Sequence, residues 1–186
     1  MNRSRIAVLA ITLTFTGCAA AATATAASAT TYPPLTKVHD PGRVTGTMHG
    51  PCHIRYTWDR AIRKEQPLPD PRCTPGSYDP IMTRARICAA GYRTSSYRPP
   101  ESQTYHAKYY VVEPAYGQRH IRGELDHLVP LELGGSNDMK NFWVETGSIP
   151  NPKDTVENRL HREVCTGKIS LHTAQLDIAH NWTTAP

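Results

Sequence analysis

The chain has 186 residues and a mass of 20.6 kDa, with 39% hydrophobic and 20% charged residues, 12 Gly and 16 Pro. This is length for one domain plus an appendage, and the composition is globular but loop-rich, which excludes repeat arrays, collagen-like chains and wholly disordered ones. The net charge of +5 selects no partner by itself.

Residues 1–29 read as a signal peptide. Asn2-Arg3-Ser4-Arg5 is a basic start, Ile6 to Thr16 an apolar stretch too short to span a bilayer, and Ala27-Ser28-Ala29 a small-residue cleavage site. Phe15-Thr16-Gly17-Cys18 loosely resembles a lipoprotein cleavage box, with Phe where Leu is usual, so a membrane partner follows only if Cys18 is lipidated. Soluble, secreted or extracytoplasmic export is the preferred reading. Loss of Arg3 and Arg5 with the leader lowers the net charge from +5 to +3.

Export leaves Cys52, Cys73, Cys88 and Cys165 where disulfides persist. Four cysteines allow three connectivities; the expected one is Cys52–Cys73, stapling a loop-rich stretch, with Cys88–Cys165, tying the middle of the chain to its C-terminal part. No C-x-x-C pair exists to suggest a thiolate metal site.

Residues 30–71 are rich in Pro, Gly, Thr and His, include a predicted short helix at Tyr56 to Lys64, and end in Pro67-Leu68-Pro69-Asp70-Pro71. They read as a linker or irregular arm. Residues 72–186 read as the main domain. Thr74-Pro75-Gly76 is a turn, Arg98-Pro99-Pro100 breaks regular structure, and a helix with a tyrosine-rich face is predicted from Pro100 through Tyr110. These tyrosines read first as packing residues and second as a base-stacking surface.

From Gly123 the pattern sharpens. Glu124 to Leu131 reads as a strand, Gly134-Gly135-Ser136-Asn137-Asp138 as turn chemistry and Asn141 to Glu145 as a second strand. A helix follows, with Asn151 at the N-cap, Pro152 at N1 and Asp154 at N3, a buried stripe of Val156, Leu160 and Val164, and Gly167 as its stop. Ser170 caps a second helix that buries Leu171, Ala174, Ile178 and Trp182.

Charge and chemistry converge here. Residues 84–122 carry seven basic side chains against Glu101 and Glu113, whereas residues 123–145 carry five acids against Lys140. A basic flank beside an acidic centre suits a metal-dependent enzyme acting on a polyanion. Asp126, His127, Asn141, Asn151, Glu157 and His161 supply oxygen and nitrogen ligands for a hard cation and a base to activate water. Neighbours on a strand face opposite ways, so Asp126 and His127 address one atom only if the strand ends or bulges between them.

The stretch Asp126-His127-Leu128-Val129-Pro130-Leu131-Glu132-Leu133-Gly134-Gly135-Ser136-Asn137-Asp138, followed by Asn141-Phe142-Trp143, closely resembles the hairpin of HNH endonucleases, the ββα-metal family. Residues 153–171, and Ile87 to Tyr92 with Arg98-Pro99-Pro100, resemble a secreted or phage-associated branch of HNH-like proteins. The likeness covers about residues 73–182 and is most specific at 124–145. It implies an α+β fold: a small ββα-metal core over 123–167, an additional C-terminal helix and a loop-rich, disulfide-stapled N-terminal part.

The resemblance makes His127 the general base and Asn141 the asparagine that braces the hairpin and orients the histidine. Asp126 becomes the first ligand of one divalent cation, Mg²⁺ or Mn²⁺ ahead of Zn²⁺, and Asn151 or His161 the second ligand. Arg119 and Arg122 are candidate phosphate contacts. The implied function is an exported endonuclease, monomeric, with DNA as substrate and RNA as a further one. The alternative is a secreted or envelope binding protein that keeps the scaffold without turnover.

Overall fold

A computed structural model describes residues 32–147 and 149–186; the leader read over residues 1–29, including Cys18, lies outside the described residues. The described part is a mixed α/β protein with three two-stranded sheets, helices and two disulfides. Both disulfides have the expected pairing, Cys52–Cys73 and Cys88–Cys165. Among the described residues no helix is long and apolar enough to cross a membrane.

The N-terminal stretch is more structured than its composition suggests. It holds β1 (Thr36–Lys37), β2 (Arg55–Asp59) and β3 (Lys64–Leu68), and β1 pairs in parallel with β4 (Ser77–Tyr78). The helix predicted at Tyr56 to Lys64 is instead the antiparallel β2–β3 hairpin, with Trp58 opposite Glu65. Period two wins over period 3.6: Tyr56 and Trp58 lie on the outer face, whereas Gln66 and Leu68 are buried, and Arg63 closes the turn at a φ of 53°. The arm is also pinned by distant bonds. Cys52 N–H donates to Ala115 O at 2.8 Å and Trp182 Nε1–H to Pro67 O at 3.0 Å.

Next come α1 (Arg84–Ile87), capped by Thr83, and α2 (Glu101–His106), which continues as a π-helical turn over Ala107–Val112 into α3 (Glu113–Ala115). The predicted helix is therefore real and longer. Pro114 has no N–H to give a preceding carbonyl, and the turn before it widens accordingly.

The second half follows the predicted order of elements, except that the strand predicted over Glu124 to Leu131 ends at His127 and Leu131 opens a 3-10 turn. β5 (Gly123–His127) pairs antiparallel with β6 (Phe142–Thr146), and the connection contains two 3-10 turns, Leu131–Leu133 and Met139–Asn141. α4 (Pro152–Cys165) starts with a complete capping box between Asn151 and Asp154, and α5 (Leu171–Asn181) is capped by Ser170.

Register gives this hairpin two distinct faces. Asp126 lies opposite Trp143 and Glu124 opposite Glu145, so these four share one face; Leu125, His127, Phe142 and Val144 share the other. Trp143 packs with Leu160, Val164, Ala174, Ile178 and Trp182 from α4, α5 and the chain after α5. Phe142 and Val144 pack with Ala107 and Val112 of the π-helical turn and with Tyr116. The β5–β6 hairpin is thus sandwiched between two apolar clusters, each excluding water from one side of it.

Candidate active site

His127 is the last residue of β5 and is 6% exposed. Its position is set from both sides, by the Phe142 ring at 4.6 Å between centroids and by Asn137 in the turn. The Asn137 amide nitrogen donates to Asp40 Oδ1 at 2.6 Å and to Tyr97 O at 2.9 Å, so its oxygen must be the acceptor facing His127 Nε2 at 2.8 Å. That fixes the tautomer: the imidazole carries its proton on Nε2, and Nδ1 keeps a lone pair. Asp40 Oδ2 also accepts the Asn137 backbone N–H at 2.7 Å. Burial, above all, pulls the His127 pKa down to about 4, partly opposed by its bond to Asn137 and by the Asp126 charge.

His127 lines a cavity of about 460 Å³, together with Arg98, Glu101, Tyr105, Lys108 and Glu124 among others. Arg98 comes from the Pro-rich break, Tyr105 from α2 and Lys108 from the π-helical turn that continues it. Lys108 Nζ is anchored on Gly123 O at 2.6 Å and lies 5.0 Å from the Tyr109 ring centroid. Arg119 lines the neighbouring cavity with Tyr105, Tyr109 and Tyr110, whereas Arg122 is exposed and lines neither of these cavities. The tyrosines read first as packing residues include Tyr105 and Tyr110, which are 54% and 65% exposed and therefore accessible for stacking.

Asn141 braces the hairpin and does not touch His127. Its oxygen accepts the N–H groups of Val129 and Ser77, and its amide donates to the carbonyls of Val129 and Ser136. The asparagine that orients the histidine is Asn137, four residues earlier. Gly135 allows this loop to close, because a Cβ there would meet Val129 O at 1.7 Å.

The expected metal ligands do not converge. β5 is regular through His127, so Asp126 faces α4, opposite to His127. Asp126 Oδ2 accepts from Trp143 Nε1–H at 3.2 Å and from Lys153 Nζ at 2.8 Å. Asn151 spends its oxygen on the N–H groups of Lys153 and Asp154, and its amide donates to Glu124 Oε1 at 2.6 Å. His161 Nε2 lies 3.1 Å from Ile87 O, beside the Cys88–Cys165 disulfide. A divalent cation therefore does not fit a set of Asp126, Asn151 and His161 in this arrangement. Cys88, His161 and Cys165 do bring ligand atoms within 4.8 Å of one another, a group that could hold a metal ion. Its two sulfurs are bonded to each other, so only a reduced chain would offer three ligands there.

The seam between the hairpin and α4 is occupied by Lys153, which is fully buried. Its ammonium donates to Asp126 Oδ2, to His127 O at 2.8 Å and to Glu157 Oε1, using all three N–H groups. Burial, the largest influence, disfavours the ammonium, but the charges of Asp126, Glu157 and Glu145 outweigh it and raise the Lys153 pKa. Burial pushes both Glu157 and Glu145 upward in pKa.

Comparison with family models, curated proteins and solved structures finds no match. Sequence reasoning missed Asp40, Asn137, Arg98, Lys108 and Lys153 as site residues. Asn137 had a local signal, a turn asparagine ten residues after His127; Asp40 had none, since its partner lies 97 residues away.

Proposed function

We propose that the chain is an exported HNH-like endonuclease that hydrolyses nucleic-acid phosphodiester bonds with His127 as general base. The observation that supports this most is the Asp40–Asn137–His127 chain, which leaves an unprotonated Nδ1 on a histidine lining a cavity with Arg98 and Lys108. In the reaction, Nδ1 takes a proton from water as the water oxygen attacks phosphorus. The bond to the leaving oxygen breaks, that oxygen is protonated from solvent, and the products are a phosphate end and a hydroxyl end. Arg98 and Lys108 offset charge on the non-bridging oxygens, and Tyr105 offers a face on which a base can stack. Two disulfides agree with an oxidising destination.

The divalent cation implied by the resemblance enters no step here, because Asp126, Asn151 and His161 do not form a site for it. Incubating the oxidised protein with supercoiled plasmid, and separately with RNA, in EDTA, Mg²⁺, Mn²⁺ or Zn²⁺ tests the reading. Cleavage is expected from the wild type and not from an equally folded His127→Ala protein. No cleavage by folded wild type under any of these conditions refutes it and leaves the non-catalytic binding protein. Cleavage only with a cation, lost in Asp126→Asn, restores the metal mechanism.

A further inference from the structure

Divalent ions and ammonium groups solve the same problem in an acidic seam, but with different donor counts. A divalent cation in an oxygen site takes about six or more ligands at roughly 2.0–2.6 Å. The seam between β5–β6 and α4 supplies three acceptors, one strand carboxylate, one strand-end carbonyl and one helix carboxylate, arranged around a single nitrogen. Three acceptors match the three N–H groups of an ammonium. The Lys153 stem rises from the first turn of α4, and Glu157 stands four residues on, one turn along the same helix face. Asp126 Oδ2 also accepts from the Trp143 indole N–H, so the oxygen that faces the ammonium is already shared.

We propose that Lys153 is the resident cation of this seam, standing where the resemblance puts a divalent metal, and that the seam takes a divalent ion only once Lys153 is removed. The hairpin and α4 are thereby linked by a charge that chelators cannot extract. The inference concerns binding alone and holds whether or not the chain cuts nucleic acid. Removing the Lys153 charge leaves Asp126 and Glu157 facing each other. Glu145 stands on the same face of the hairpin, 3% exposed, and its Oε2 has no hydrogen-bond partner among the described residues. Asp126 Oδ2, Glu157 Oε1 and the His127 carbonyl, the three oxygens that surround the ammonium, then remain as hard ligands around one point.

The test titrates Mn²⁺ into the oxidised full chain, read by the electron paramagnetic resonance signal of free Mn²⁺ and by thermal unfolding. Oxidation keeps Cys88 and Cys165 out of the measurement. Wild type is expected to show no Asp126-dependent binding at millimolar Mn²⁺ and no shift in Tm. Lys153→Met is expected to bind about one Mn²⁺, with a Tm rise of roughly 5 °C or more at a hundredfold excess over Kd. That binding is expected to vanish in Lys153→Met/Asp126→Asn. A Lys153→Met chain that folds only when Mn²⁺ is added supports the proposal equally. Wild-type binding of Mn²⁺ that is lost in Asp126→Asn overturns it, and so does a folded Lys153→Met chain that binds none. If Lys153→Met is unfolded with and without metal, the wild-type titration with its Asp126→Asn control decides.

Discussion

At His127 the physical argument turns on which nitrogen holds the proton. Asn137 settles that through its own bonds to Asp40 and Tyr97, so Asn137→Ala would strand three polar partners, His127 and Asp40 of them buried. Such a loss costs about 1–3 kcal/mol; thermal unfolding should show it, together with a fall in cleavage rate larger than any change in KM. The lowered His127 pKa has a definite sign. Its value of about 4 in the folded chain, against 6.5 in the free side chain, keeps the imidazole neutral at every pH above about 5. The acid limb of kcat/KM is therefore expected near pH 4 rather than 6.5, since that profile reports the free enzyme. An acid limb at 6.5 would mean that another group is the base. The sequence made His127 visible because Asp-His, turn and Asn-Phe-Trp lie close together. Asn141 braces the hairpin as expected, but the orienting role expected of it falls to Asn137, because two asparagines four residues apart differ in role only through what each faces.

The second half of the chain was legible as elements because its signals are local. Asn151, Pro152 and Asp154 sit at the N-cap, N1 and N3 positions, and the structure forms the capping box they predict. Asn151→Ala should therefore behave as a lost N-cap, costing about 1 kcal/mol in denaturant unfolding while leaving cleavage near wild type. A loss of Mn²⁺ affinity in the oxidised wild type on that substitution would instead make it a ligand. Gly135→Ala should be harsher, because a Cβ there overlaps the Val129 carbonyl. A destabilisation of more than about 2 kcal/mol is expected, and the loop that carries Asn137 and Asn141 would shift with it. The β2–β3 hairpin escaped the reading for a different reason. Its aromatic residues alternate on the open face, where they carry no burial signal to distinguish period two from a helix.

The molecule as a whole depends on closures far apart in sequence. The Cys88–Cys165 bond spans 77 residues and the Cys52–Cys73 bond 21. In the chain-entropy account these contribute roughly 4.5 and 3 kcal/mol, so reduction should lower the unfolding midpoint sharply, with Cys88→Ala/Cys165→Ala more affected than Cys52→Ala/Cys73→Ala. Asp70 adds a pH dependence from the other end of the fold. Burial raises its pKa, but bonds from Arg72 and His53 prevail and bring it down to about 2, against 3.8 for the free carboxyl. The lowered value stabilises the fold above pH 4, and that contribution is lost as pH falls from about 4 towards 2, a change of roughly 2 kcal/mol. Asp70→Asn should remove this part of the slope.

Asp40 meets Asn137 across 97 residues, and Pro67 meets Trp182 across 115. Such distances slow the search for the native state, towards milliseconds to seconds rather than the microseconds of local helices. After dilution from denaturant, the far-ultraviolet helical signal is therefore expected to recover before His127-dependent cleavage. His127 is held in the Nε2-protonated form only when the stretch that carries Asp40 has returned to the turn beside it, so under the proposed function cleavage is expected as a late event of refolding.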